Sequence, residues 1–268
     1  MLIGIIGTGI VGGTIKKGFE AIGHTTVGVD KKNPKSAIKD VLPTEVTYIC
    51  LPTPRSKDGS CDISLVEATI KELCALNYKG VIVIKSTVSA GTTDDLSKKY
   101  NRRIYFVPEF LRERCAYADF TEGHDVLIVG HPELWSPADV NDIVKTHGKY
   151  PKKVEVLKAI EAELCKYFLN AFNAVLITYA NSFYDLCKFI KVDYDKVLEA
   201  AKNKKHIPNM YLNCNENLRG FGGVCLPKDV SELATILEKA GVNKNLFKEV
   251  LEINSQWKTT VPEGMRLE

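Results

Sequence analysis

The chain has 268 residues, is 45% hydrophobic and carries 36 basic against 33 acidic side chains, a formal net charge of +3. That length supports a sizeable core in one large or two ordinary domains, and near-balanced charge without a basic block or aromatic-interleaved basic patch argues against nucleic acid as a partner. No apolar run reaches the length of a membrane span, and the apolar start, MLIGIIGTGIVGG, lacks a basic flank and a cleavage site, so neither a membrane nor an export signal is expected.

Residues 2–6, LIGII, read as a buried strand running into glycines. IVGGTIKKGFEAIG then places Ile10, Ile15, Phe19 and Ile22 on one helical face. TTVGVD at 25–30 is a second strand ending in an acid, and VTYICLPTP at 46–54 a third, stopped by two prolines. SLVEATIKELCAL predicts a helix with Ser64 as N-cap and Glu67 completing a capping box. GVIVIKST at 80–87 is a β-branched run suited to a buried parallel strand. TTDDLSKKY follows as a helix, then RIYFVPEF and DVLIVG (125–130) as strands. Strands alternating with helices imply right-handed crossovers and a parallel sheet.

The texture changes near residue 150: Lys153 to Lys191 contains no glycine or proline, and the stretch from Val154 on has a helical period. Helical segments follow at about 193–204, 229–240 and 244–258, and the polar tail KTTVPEGMRLE reads as a terminus. The expectation is an α/β dinucleotide-binding domain over residues 1–150 followed by an all-helical domain, with a long central helix, over 151–268.

Gly7, Gly9 and Gly12 form GTGIVG between the first strand and the first helix. The first glycine permits the tight turn, the second lets backbone approach a pyrophosphate, and the third lets helix and strand pack closely. Ile10 and Val11 open a helix whose free N–H groups suit that anion. Asp30, about 20 residues on, stands where a ribose 2′-hydroxyl is held and would repel a 2′-phosphate, which favours NAD over NADP; Lys31 follows it. Eight cysteines (50, 61, 74, 115, 165, 187, 214 and 225) form no CxxC pair and fit no zinc spacing, so no metal is expected. Seven read as reduced, buried hydrophobes of a cytoplasmic enzyme. Cys225, inside GFGGVCLPKD at 220–229, reads as a candidate nucleophile.

GTGIVG at 7–12, PTP at 52–54, KSTVSAGTT at 85–93, PEFLRE at 108–113, AELCKYFLNAF at 162–172 and GFGGVCLPKD at 220–229 occur in one order. With these motifs the chain resembles the UDP-glucose/GDP-mannose dehydrogenases, NAD-dependent enzymes that oxidise a nucleotide-sugar alcohol to a carboxylate. The resemblance implies a Rossmann-type first domain and a four-electron oxidation in which Cys225 attacks the intermediate aldehyde and a thioester is finally hydrolysed. It assigns Lys166 and Asn170, four apart on one helix face, to oxyanion stabilisation, and Asp229 to proton handling or water placement. Of Glu109 and Glu113, it makes one the base for hydrolysis and puts the other nearer cofactor or substrate. Thr87 positions a water or meets the nicotinamide side, Thr53 lines the adenine–ribose crevice, and Phe110, Leu111, Tyr211, Phe221, Gly222 and Gly223 surround the sugar. The helical domain is expected to bring Lys166, Asn170, Cys225 and Asp229 to an interdomain cleft. By analogy the long helix pairs in a homodimer.

Bland readings stand beside these. Lys166 is also what a solvated helix lysine looks like, Asn170 could bond locally, the two glutamates could be surface charges, and Asp229 could be the N-cap of the helix VSELATILEKAG with Glu232 as capping partner. The family's third, C-terminal domain has no counterpart after LFKEVLEINSQWK, and KHIPNMY at 205–211 replaces an arginine-bearing stretch, with His206 in the arginine's place. These departures keep two alternatives open: a compact two-electron hydroxy-acid dehydrogenase that does not need Cys225, and an NAD-binding protein with little turnover.

Overall fold

A computed structural model describes residues 1–56 and 59–259; most of the predicted polar tail, residues 260–268, lies outside them. Two compact units divide the chain, Met1–Arg55 with Cys61–Lys166, and Ser56–Ser60 with Tyr167–Glu268.

The first unit is a sheet covered by helices on both faces. Its strands are β1 (Leu2–Ile6), β2 (Thr25–Val29), β3 (Val46–Ile49), β4 (Val81–Ile84), β5 (Ile104–Phe106), β6 (Val126–His131) and β7 (Lys153–Lys158), in the order β2-β1-β3-β4-β5-β6-β7. All pairings are parallel except β5 with β6, which meet antiparallel at Phe106 and Gly130. β3, β4 and β5 are buried almost throughout, which is why they read as unbroken apolar runs and not as alternations. One face packs Ile49, Ile82, Ile84 and Phe106 under α2 (Ser64–Ala75) and α3 (Thr92–Tyr100). The other packs Ile3, Ile5, Tyr48 and Tyr105 under α1 (Ile10–Ala21) and α5 (Pro137–His147). α4 (Ala116–Thr121) seats the Phe120 ring where Gly18 of α1 has no side chain.

Two local expectations need correction. Residues 153–158 are not the start of the long helix but the strand β7, paired along its whole length with β6. Val154 and Val156 alternate as a strand requires, but both are exposed, so their spacing carried no burial signal and merged with the helix behind it. Ser64 is not an N-cap: it is the first residue of α2, and its N–H donates to the Asp62 carboxylate at 2.9 Å. The Glu67 carboxylate accepts from Lys99 and from the Tyr100 hydroxyl instead of closing a capping box.

α6 (Ala159–Phe189) is the long helix, and Tyr167 onward belongs to the second unit. That unit adds α7 (Tyr194–Lys202), α8 (Leu226–Lys239) and α9 (Leu246–Asn254). One of its cores joins Ala180, Cys187, Tyr194 and Leu198; another joins Ala171, Ala174, Phe221, Val230 and Val250.

Candidate active site

The glycine turn leaves β1 at Gly7, whose φ of 89° lies where side chains are disfavoured and whose N–H donates to Val29 O at 2.8 Å. A Cβ on Gly12 would collide with the Gly7 carbonyl oxygen, whereas the position of a Cβ on Gly9 has no atom within 4 Å. Gly9 is the N-cap of α1, which has no side-chain cap and no acid in its first turn, so its first N–H groups are available to an anion. Asp30 follows β2. Its carboxylate accepts the Thr8 N–H at 2.7 Å and Thr8 hydroxyl at 3.1 Å on one oxygen and the Lys32 N–H at 3.0 Å on the other. The backbone donors Lys32 and Thr8 hold its carboxyl below the usual range, and the oxygen that accepts only from Lys32 keeps a second acceptor direction for a ribose hydroxyl. Lys31 is exposed beside it. These residues fit a dinucleotide: a close-approach glycine, an uncapped helix start and an ionised acid at the next strand end. Gly12→Ala is expected to destabilise the protein by roughly 2 kcal/mol or more and to weaken NAD binding at least tenfold, measured by urea unfolding and calorimetry.

The next strand ends converge on one network. The Thr53 hydroxyl donates to Thr87 O at 2.6 Å, and the Ser86 hydroxyl donates to Leu51 O at 2.7 Å, which ties the loop after β4 to the loop after β3. Lys85 is buried and donates to the carbonyls of Val107 and Pro108. Burial pushes its ammonium down to about 8, against the opposing influence of Cys50 and Glu109. Lys166 is 4% exposed, which removes the solvated-lysine reading. Its ammonium donates to Glu109 O at 2.7 Å, stands 3.3 Å from the Glu109 carboxylate and lies 5.7 Å from the Phe110 ring centroid. The Leu111 N–H donates to the other Glu109 oxygen at 2.8 Å, so that carboxylate is fixed from two sides. Glu113 does not join this cluster; it is exposed at the start of a short 3-10 turn.

In the second unit Asn170 donates to the Asp229 carboxylate at 2.5 Å, and the Lys228 ammonium lies 2.7 Å from the other Asp229 oxygen. Asp229 is not an N-cap, and Glu232 caps nothing there. α8 begins at Leu226, Cys225 is its N-cap, and the Asp229 N–H donates back to Cys225 O at 3.0 Å. Leu226 and Pro227 hide this start, because the polar residues that signal a cap come a turn later. Cys225 is the one cysteine of the eight that is exposed. Behind it, the Phe221 N–H and C=O are both held by the Asn254 side chain, at 2.7 and 2.9 Å. Gly220 donates to the Asn181 amide oxygen, and the Arg219 guanidinium engages Asn181 and Asp185 while stacking near Tyr184 and Trp257. Phe221 therefore anchors the loop in the core, leaving Gly222 and Gly223 partly open. Tyr211 sits outside the helices at φ 67°, and His206 is exposed.

Sequence reasoning missed Lys85, Asn181, Asp185, Arg219 and Asn254. For Asn181, Asp185 and Asn254 the available signal was a polar residue inside an otherwise apolar helical stretch, whereas Lys85 follows a buried strand and Arg219 lies outside the helices. A cavity of about 780 Å³ elsewhere in the first unit, lined by Gly80, Arg102, Arg103, Trp135 and Asp139 among others, contains none of the residues singled out, so its size says little about the chemistry.

Comparisons with known proteins bear on the same residues. Residues 34–145 match the NAD binding domain, and residues 160–256 the central domain, of the UDP-glucose/GDP-mannose dehydrogenase family. The glycine turn precedes the first match and rests on its own geometry. The chain is 30% identical over 244 residues to the UDP-glucose 6-dehydrogenase of Pseudomonas aeruginosa, covering 86% of this chain and 52% of that one. It is 28% identical over 305 residues to that of Bacillus subtilis, covering 98% and 65%. The solved UDP-glucose dehydrogenase of Pyrobaculum islandicum superposes with a TM-score of 0.86 at 29% identity, over 95% of this chain and 68% of that one. The chain thus spans between half and two thirds of these two curated relatives. Its N-terminal part is an NAD-binding domain, and with two consecutive domains matched in order, the chain belongs to the UDP-glucose/GDP-mannose dehydrogenase family.

Proposed function

We propose that the protein oxidises the primary alcohol of a nucleotide sugar to a carboxylate with NAD, through a covalent intermediate on Cys225. The observation that carries this reading is the exposed thiol at the N-terminus of α8, one turn from the Asn170–Asp229 pair and following a loop pinned by Asn181 and Asn254. A helix N-terminus favours a thiolate over a thiol, which suits both attack and departure. Gly7, Gly9, Gly12 and Asp30 hold the dinucleotide, which supplies the hydride acceptor, one molecule for each of two oxidations.

Lys166 stabilises negative charge on the substrate oxygen while Asp229, through a water, takes the alcohol's proton and the carbon gives up a hydride. The Cys225 sulfur then bonds to the aldehyde carbon, and Asn170 and Lys166 hold the resulting oxyanion. Loss of a second hydride leaves a thioester. Glu109 takes a proton from water, the hydroxide adds to the acyl carbon, the C–S bond breaks, and Asp229 serves the proton that returns to sulfur. We assign the base to Glu109, and not to Glu113, because its carboxylate is fixed beside Lys166. Thr87 contacts the nicotinamide side, Thr53 the ribose side, and Phe110, Leu111, Tyr211, Gly222 and Gly223 the sugar.

The test is NADH formation from UDP-glucose, UDP-N-acetyl sugars and GDP-mannose. Turnover on one of them supports the reading; NAD binding without turnover on any of them favours the cofactor-binding alternative. We place this chemistry in the cytoplasm, where the thiols stay reduced. We also propose a homodimer through α6, whose exposed Phe168, Phe172, Tyr179 and Leu186 recur near heptad spacing. Phe172→Asp with Tyr179→Asp is expected to convert a dimer into a monomer in analytical ultracentrifugation; an unchanged mass would contradict the assignment.

A further inference from the structure

We propose that Glu163 is a positioning residue for the reaction above: its carboxylate, carried by α6, clamps the start of α3 and so fixes the loop after β4 that bears Thr87. The inference rests on that functional reading and on a contact which does not depend on it. Glu163 is fully buried. One carboxylate oxygen accepts the Gly91 N–H at 2.6 Å and the other the Thr93 N–H at 2.9 Å, across 70 residues of sequence in the second case. α3 has Gly91 as its N-cap, and no side chain at that position performs the capping. A distant carboxylate therefore does what a local Ser or Asp usually does for the free N–H groups of a first turn.

The loop between Ile84 and Thr92 is held at two ends. Ser86 and the Thr87 carbonyl tie its first half to the loop after β3. Glu163 ties its second half to α6, at Gly91, whose φ of 93° gives the chain its freedom to turn there. Lys166 lies three residues beyond Glu163, on the adjacent turn of the same helix face. One carboxylate thus sets the register between the loop that carries Thr87 and the helical turn that carries Lys166. Burial holds the Glu163 carboxyl up to about 7, with Asp94 of α3 pushing the same way and the two amide donors pulling it down. Because burial outweighs the charge-assisted N–H···O bonds in setting that value, ionisation loosens the grip and the clamp is firmest with the carboxyl protonated.

The isosteric Glu163→Gln keeps the shape but sets an NH₂ donor against one of the two amides. In hydrogen exchange on the full chain without ligands, it is expected to lower protection at residues 88–93 roughly tenfold at about pH 5. In the wild type, protection corrected for the intrinsic rate should fall between pH 5 and 7; in the variant it should stay flat. NAD affinity by calorimetry should fall several-fold in the variant. Glu163→Asp, with a shorter reach, should recover part of the protection. Wild-type protection with an unchanged pH dependence in Glu163→Gln overturns the clamp. Lost protection with unchanged NAD affinity overturns its positioning role. Because the exchange measurement uses neither sugar nor turnover, its outcome is separate from that of the proposed oxidation.

Discussion

Cys225→Ser is expected to lower formation of the sugar acid by about three orders of magnitude or more while leaving NAD affinity unchanged. A serine hydroxyl at the start of α8 remains protonated at neutral pH and is a poor leaving group from an acyl carbon, so both bond-making and bond-breaking at residue 225 are lost. The glycine turn and Asp30 that hold the cofactor belong to the first unit and are untouched. Steady-state NADH formation and calorimetry with NAD, run on the same preparation, separate the two effects. A variant that retains more than a tenth of wild-type acid formation would return the chemistry to a two-electron dehydrogenase in which the thiol is a bystander.

A second large effect concerns stability in acid. His147 is fully buried among the rings of Phe19, Tyr48, Phe120 and His124. One ring nitrogen lies 3.1 Å from Ile143 O, and Nε2 has no hydrogen-bond partner. Burial first, and then the charge of Lys85, push its pKa well below the ordinary histidine value. The unfolded chain takes up a proton below about pH 6.5 that the native core refuses, so stability is complete above that pH and falls as pH drops, by about 1.4 kcal/mol per unit. Glu163 acts with the opposite sign: its raised pKa of about 7 means that its contribution is lost as pH rises. The two partly cancel in the wild type alone, and a difference measurement isolates the histidine. Between pH 7.5 and 4.5, the stability of His147→Phe relative to wild type should improve by about 2–3 kcal/mol in urea titrations. Parallel curves for the two proteins would show that His147 is not excluded from protonation.

Much of the fold was legible because its signals are local. The runs LIGII and VIVI, buried on both faces, have no polar alternation to confuse, and GTGIVG joins a strand to a helix with each glycine doing a separate steric job. β7 was not legible, since an exposed strand lacks the burial that makes a period informative and no glycine or proline separates it from α6. The start of α8 was misplaced for a related reason: a cysteine followed by Leu-Pro gives no polar cap to read. In the candidate site the residue types were readable from their motifs, but their partners were not. Nothing near Lys166 in sequence announces Glu109, 57 residues away, and nothing near Gly91 announces Glu163. Asn181 and Asn254, which hold the loop before Cys225, look like ordinary helix residues until the fold turns their amides toward a backbone with no strand or helix of its own to bond.

The most direct test of the covalent route uses Glu109→Gln, in which hydrolysis is slowed while the thiol remains. Incubated with NAD and a nucleotide sugar, then quenched in acid and digested, the peptide containing Cys225 should carry the mass of the sugar acyl group, and two NADH should appear for each adduct. An unmodified Cys225 peptide in a sample where NADH has accumulated would contradict the account.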